Sequence, residues 1–273
     1  MNLFQAFILG IVQGLTEFLP VSSSAHLVLT PFFLGWKIPT EQVFPFDVLV
    51  QLGTLAAVIL YFWKDLVSIV RAVIAGLTGG KPFETHEARL GWYLVLATVP
   101  ASLLGLLIKA QVESAFNSPA ATAIFLFGTA ALLVAAEKIG KRQRMLNEMG
   151  WKDAFWIGCF QALSLFPGLS RSGSTIAGGM SRHFQRAEAG RFSFLMSIPV
   201  MLGAGLLSIL DLLEFPGLGN FLPVLLVGFL TAAVVGYLSI GWLLSFLNRQ
   251  SLKPFAVYCV SIAVLTLLKI YVL

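Results

Sequence analysis

The sequence predicts an all-α integral membrane protein, with six transmembrane helices plus two re-entrant helical hairpins arranged as an inverted-topology repeat. Three observations predict it. The 273 residues are 58% hydrophobic and only 11% charged, with a mean hydropathy of +0.87; a soluble domain carries about a quarter charged residues. Apolar runs about 20 residues long, the length that crosses a bilayer as a helix, recur along the chain. Two short, polar-ended stretches 148 positions apart also resemble each other.

The continuous runs place spans near 47–63, 91–109, 118–138, 190–210, 221–246 and 254–273. Trp63, Trp92 and Trp151 mark interfaces, where tryptophan concentrates. Residues 3–19 and 152–166 differ from these runs. Each leads into a proline, Pro20 or Pro167, then a serine cluster and another short apolar piece. A hairpin that dips into the bilayer and returns suits such a stretch, because broken backbone is tolerated at depth where protein or water surrounds it. Residues 66–77, "LVSIVRAVIAGL", repeat apolar side chains at helical spacing and suit an interfacial helix. The first residues lack a basic segment and a small-residue cleavage site, so a secretory signal is not expected. Cys159 and Cys259 lie in apolar stretches without metal-ligand spacing and read as buried free thiols.

Loop charge orients this layout. With 64–91 on the cytoplasmic side, that side collects 14 basic residues: Lys64, Arg71, Lys81, Arg89, Lys138, Lys141, Arg142, Arg144, Lys152, Arg182, Arg186, Arg191, Arg249 and Lys253. The opposite side holds 3, namely Lys37, Lys109 and Lys269, and Arg171 is left in a hairpin. Basic loops stay inside, so both termini of this multi-pass protein are expected outside. The net charge of +5 comes mostly from these loops, and nucleic acid is not an expected partner. The chain is compatible with a homodimer, on which the sequence is silent.

"GIVQGLTEFLPVSSS" (10–24) aligns with "GCFQALSLFPGLSRS" (158–172): Gly10 with Gly158, Gln13 with Gln161, Ser22 with Ser170, Ser24 with Ser172. By the charge count the two hairpins enter from opposite sides. The single membrane domain, 1–273, then divides into repeats 1–138 and 152–273, each a hairpin plus three spans. Sites in such folds form where the broken segments meet.

The candidate site residues fall in those segments. Gln13 and Glu17, four apart, share a helix face, and a carboxylate in an apolar run is a functional candidate; the alternative is a local bond to backbone or Thr16. Ser22 suits a helix cap. Ser23 and His26, three apart, would put a hydroxyl beside an imidazole, as nucleophile activation requires; the alternative is a capped helix start with a core histidine. In the second hairpin, Gly168 and Gly173 permit close backbone approach. Ser170, Ser172, Ser174 and Thr175 offer hydroxyls at a helix start. Arg171 adds a planar fork suited to phosphate oxygens, or else pairs with Glu17 across the repeat. Asp47 and Gln51 are expected at the outer end of a span, either lining the same cavity or paired at the interface. His86 and His183 read as solvated, and Glu84, Glu87, Glu148 and Asp153 as ordinary loop charges. The set suits phosphoryl transfer or anion transport, and spacing alone does not choose between them.

"QGLTEFLPVSSSAH" (13–26) and "PGLSRSGST" (167–175) resemble the two signature motifs of the bacterial undecaprenyl-diphosphatases, also called bacitracin-resistance proteins. The resemblance extends over the whole chain, including "DVLVQLGTLAAV" (47–58). It implies a membrane hydrolase that converts undecaprenyl diphosphate to the monophosphate and phosphate, recycling the carrier for peptidoglycan and other envelope polymers and conferring bacitracin resistance. It implies a divalent cation, Mg²⁺ or Ca²⁺, held by Glu17 with Gln13, although glutamine at 13 weakens a metal role there. Ser23 and His26 become the attacking pair, with His26 as base, as nucleophile, or as activator of water. Arg171 with Ser170, Ser172 and Thr175 becomes the diphosphate grip, with Ser22, Ser24, Ser174 and Gln51 around it, in a crevice open to the outer (periplasmic) face. The competing class is a lipid-phosphate or anion transporter or flippase, which has no use for a nucleophile.

Overall fold

A computed structural model describes residues 1–108, 118–213 and 218–272. Among them are eleven α-helices: α1 (Leu3–Thr16), α2 (Ser23–Leu34), α3 (Thr40–Tyr61), α4 (Trp63–Thr78), α5 (His86–Leu107), α6 (Pro119–Ile139), α7 (Trp151–Leu163), α8 (Arg171–Ser181), α9 (Arg186–Leu213), α10 (Leu218–Arg249) and α11 (Lys253–Tyr271). Six of these, α3, α5, α6, α9, α10 and α11, are long and apolar enough to cross a membrane. They are the six expected spans. The helices run past the apolar stretches at several ends, because helical hydrogen bonding continues through polar residues that hydropathy excludes. Thus α3 starts at Thr40 and α9 at Arg186. Lys109, assigned above to the outer loops, lies outside the described residues.

Each interrupted segment forms two short helices around a break. α1 and α2 flank residues 17–22, and α7 and α8 flank residues 164–170. α1 packs along α10, and α7 packs along α5. Aligned glycines make both contacts close. A Cβ on Gly10 would stand 2.8 Å from Gly228 O, and one on Gly158 would stand 2.5 Å from Ala97 O. Only a residue without Cβ lets backbone approach backbone this way. α6 and α11 pack against each other, and α8 is enclosed by α6, α7 and α9. α4 buries only Ile69 and exposes Val70, Ile74 and Leu77, which suits a helix lying on an apolar medium.

Ion pairs gather many of the expected cytoplasmic residues at one end of the bundle. Glu137 at the end of α6 accepts from Arg142, twice from Arg186, and from the Leu252 N–H before α11. Arg191 of α9 reaches Asp65 of α4 at 2.6 Å. Asp153 corrects the reading of it as an ordinary loop charge. It is 3% exposed and accepts from Arg144 through both oxygens, from Arg182 and from the Gly150 N–H. Burial alone pushes its carboxyl up; the hydrogen bonds from Arg144, Arg182 and Gly150 overcome this and hold it below the usual carboxylate range. Glu84 pairs with Lys81 at the surface as expected. His183 is half-buried and takes a left-handed backbone, φ 69°. At the other end, Lys269 of α11 donates to Phe32 O and Phe33 O, satisfying carbonyls at the end of α2. The N-terminal amine bonds to Gln42. Cys159 and Cys259 are free thiols, the first half-buried and the second buried.

Candidate active site

The two breaks interlock. Gly168 N–H donates to Ser22 Oγ at 3.2 Å, and Ser172 Oγ donates to Leu19 O at 3.0 Å. From α6, Thr129 accepts from Ser170 N–H at 2.9 Å and donates to Gly168 O at 2.7 Å. Gly168, at φ 105°, has no space for a side chain, since a Cβ would meet Thr122 O at 2.4 Å. Its close approach is therefore to α6 and not, as expected, to a ligand.

The helices after the breaks begin alike. Ser22 caps α2 by accepting from Ala25 N–H, and Ser170 caps α8 by accepting from Gly173 N–H. Each cap also pairs at 3.2 Å with the serine two positions on, Ser24 or Ser172. Ser23 and Arg171 are consequently the matching first residues of two helices whose N-termini face one cavity. Helix N-termini favour negative charge. The caps differ in backbone: Ser170 is extended at φ −60°, whereas Ser22 stands at φ 74°. Such a conformation costs a residue with a side chain about 1–3 kcal/mol and persists only when its surroundings fix it.

The cavity encloses about 350 Å³, within the range of small-ligand sites. Glu17, Ser22, Ser23, Ser24, Ser170, Arg171 and Gln51 line it, with Thr16, Gln161 and Ser164; Ala101, Leu165, Leu169, Val200 and Met201 form its apolar side. Glu17 organises the polar side. Its Oε1 accepts from Arg171 Nη2 at 2.6 Å. Its Oε2 accepts from Ser23 Oγ at 2.6 Å and from Gln13 Nε2 at 2.9 Å. Of the five N–H donors of Arg171, this one is well engaged; the contacts to Ser193 O and Met201 Sδ are long, at 3.5 and 3.8 Å. Spare donors at the edge of a cavity suit an incoming anion.

Several expected residues lie elsewhere. The Ser23–His26 pair is not formed: Ser23 donates to Glu17, while His26 Nδ1 bonds to Ser22 O at 2.7 Å and Nε2 to Tyr258 Oη at 2.8 Å. The acidic partner six residues earlier outcompetes the imidazole because the chain reverses between them. Ser172, Ser174 and Thr175 are at most 1% exposed and do not line the cavity. Ser172 joins the breaks, Thr175 bonds Arg171 O, Ser172 O and Ser193 Oγ, and Ser174 Oγ has no partner among the described residues. Ser172 and Thr175 hold α8 in place, Ser174 is packed beside them, and none of the three lines the cavity. Gln13 sits behind Glu17, off the cavity, and Asp47 does not line it either.

Gln161 and Ser164 were missed, and the internal alignment contained the signal for the first. Gln161 is the partner of Gln13, but Glu17 is matched by Leu165. Without a carboxylate four residues on, Gln161, 2% exposed, lines the cavity itself. Its Nε2 makes a 3.4 Å bond to Ala97 O, and its Oε1 has no partner among the described residues.

Among the described residues, no group of three or more His, Cys, Asp or Glu is placed to hold a metal ion. Hard oxygen donors are nonetheless present in the Glu17 carboxylate and the unpartnered carboxamide oxygens of Gln13 and Gln161. Such a set suits a divalent cation shared with phosphate oxygens and not a cage made by protein alone.

Comparison with known proteins identifies the family of the chain. The family described as bacitracin resistance protein BacA matches residues 6–265. The undecaprenyl-diphosphatase of Chlorobaculum tepidum is 46% identical over 267 residues, covering 94% of this chain and 93% of its own. That of Thermomicrobium roseum is 44% identical over 276 residues, covering 98% of each. That of Myxococcus xanthus is 44% identical, covering 98% of this chain and 89% of its own. With a match over nearly its whole length and relatives this similar, the chain belongs to the bacitracin resistance protein BacA family.

Proposed function

We propose that this protein is a membrane hydrolase that cleaves undecaprenyl diphosphate to undecaprenyl phosphate and inorganic phosphate, with Ser23 as attacking group and Glu17 as its base. One observation carries the assignment of roles: Ser23 Oγ donates at 2.6 Å to a carboxylate whose other oxygen holds Arg171, at the wall of one cavity. The names of the relatives support the substrate. Recycling of the lipid carrier for envelope polymers follows from that activity, as does bacitracin resistance.

The diphosphate competes with Glu17 for the guanidinium, whose planar fork matches phosphate oxygens. Ser23 Oγ, its proton passing to Glu17 Oε2, forms a bond to the terminal phosphorus as the bond to the bridging oxygen breaks; undecaprenyl phosphate leaves. Water then cleaves the phosphoserine, releasing phosphate and returning the proton to Ser23. Arg171 and the N-termini of α2 and α8 are aimed where charge builds on the equatorial oxygens, the largest source of catalysis in phosphoryl transfer. A Mg²⁺ or Ca²⁺ ion would be held by Glu17 with Gln161, which lines the cavity where Gln13 does not. When bound it neutralises diphosphate charge.

The apolar surface of the six spans and the basic end of the bundle support placement in the bacterial inner membrane with that end cytoplasmic. The cavity then opens toward the periplasmic side, with the two hairpins entering from opposite faces as inverted repeats. The cavity is built by one chain, so a second copy is not needed for chemistry.

The test is phosphate release from undecaprenyl diphosphate by purified protein in detergent. Wild type should release phosphate, lose this with a chelator and regain it with Mg²⁺ or Ca²⁺. Ser23→Ala should be inactive while still binding undecaprenyl phosphate. Retained turnover in Ser23→Ala would transfer the attack to water; absence of release from folded wild type would end the hydrolase reading.

A further inference from the structure

Resting on the reading of Ser23 as the attacking group, we propose that Tyr258 is a positioning residue for the reaction. It acts through His26, on the strained peptide that presents Ser23. Tyr258 lies on α11, 232 residues from His26 and away from the cavity lining.

The tautomer follows from the partners. Ser22 O can only accept, so His26 Nδ1, at 2.7 Å from it, carries a hydrogen. In the neutral ring Nε2 is then an acceptor, and Tyr258 Oη at 2.8 Å donates to it. The two rings lie nearly parallel, at 8°, with centroids 5.6 Å apart. The imidazole is thereby held from both sides, with neither nitrogen left to serve Ser23.

What it holds is the residue before Ser23. Ser22 has the positive φ of 74°, and its carbonyl receives both the His26 side chain and the His26 backbone N–H at 3.3 Å. The internal repeat supplies the control. In the second half the cap, Ser170, has an ordinary φ of −60°, and the residue matching His26 is Ser174, whose hydroxyl makes no bond among the described residues. The imidazole occurs only in the half where the cap is strained. A tyrosine that fixes ring tautomer and orientation keeps the Ser22 carbonyl turned away and the Ser23 hydroxyl directed at Glu17.

The experiment uses the full chain in detergent with ¹⁵N-labelled histidine. His26 is resolved from the other two histidines by His86→Gln and His183→Gln. The expected signals are a protonated Nδ1 and an unprotonated, hydrogen-bonded Nε2. In Tyr258→Phe, which keeps the ring but not the donor, the Nε2 signal should move as the bond is lost. kcat should fall about tenfold, the scale of one lost hydrogen bond in a transition state, with KM within twofold. Undecaprenyl phosphate binding should be unchanged, which reports an intact fold. A protonated Nε2 in neutral wild-type His26 would overturn the proposal. So would wild-type kcat in Tyr258→Phe, or a fall in kcat without a change in the ring nitrogens. The nitrogen signals need no turnover, so failure of the Ser23 assignment, read from Ser23→Ala, stays separate.

Discussion

Arg171 Nη2 lies 2.6 Å from Glu17 Oε1, joining two residues 154 positions apart at the only places where their hairpins are broken among the described residues. The pair is mostly buried, with side chains 16% and 7% exposed. The contact makes each a condition for the other: without ligand, each neutralises a charge the apolar surroundings would otherwise penalise.

Arg171→Ala should lower kcat/KM for undecaprenyl diphosphate by about 10²–10³, the usual loss for one donor to a developing oxyanion. Glu17→Ala should lose activity and also stability, by about 3–5 kcal/mol, because the guanidinium is left unpaired. The double variant should recover much of that stability and none of the activity. Thermal unfolding beside phosphate release checks this; a double variant as unstable as the sum of the two singles would remove the coupling.

Gln161→Leu should reduce turnover several-fold and raise the cation concentration for half-maximal activity, with the fold retained. Among the described residues its carboxamide makes only the long bond to Ala97 O, so little structural support is lost. Titrating Mg²⁺ against phosphate release makes the comparison. An unchanged cation requirement would remove Gln161 from the site.

Asp153 makes a prediction about pH. Its folded-state pKa is depressed, so the stabilisation it supplies is complete above the unfolded value near 3.8 and is lost as pH falls through the lower folded value. This group should therefore give the wild-type unfolding temperature no pH dependence between pH 7 and about pH 5, where its stabilisation is fully present. It should decline below about pH 4. Asp153→Asn should be less stable at neutral pH and lack that part of the acid decline. Parallel melting curves across this range distinguish the two.

Much of the fold was legible because a bilayer imposes strict conditions on sequence. Length, hydropathy and loop charge indicate the six spans, and the 148-residue shift indicates which two segments correspond. Chemistry at the breaks was legible in kind: a carboxylate, an arginine and clustered hydroxyls placed in oily surroundings need partners or a ligand. The partners themselves were not legible. Helical spacing put Ser23 beside His26, yet the chain reversal at residues 17–22 brings Glu17 to Ser23, while α11 brings Tyr258 to His26. Equal-looking hydroxyls also separated: Ser24 and Ser170 face the cavity, whereas Ser172, Ser174 and Thr175 are packed among helices. Asp153 read as a loop charge because Arg144 and Arg182 approach it from different connections. Sequence alone determined which residues must be satisfied, since that depends on composition and depth in an apolar phase. Only the tertiary structure decided by whom, because a hydrogen bond a few ångströms long depends on where two distant backbones pass.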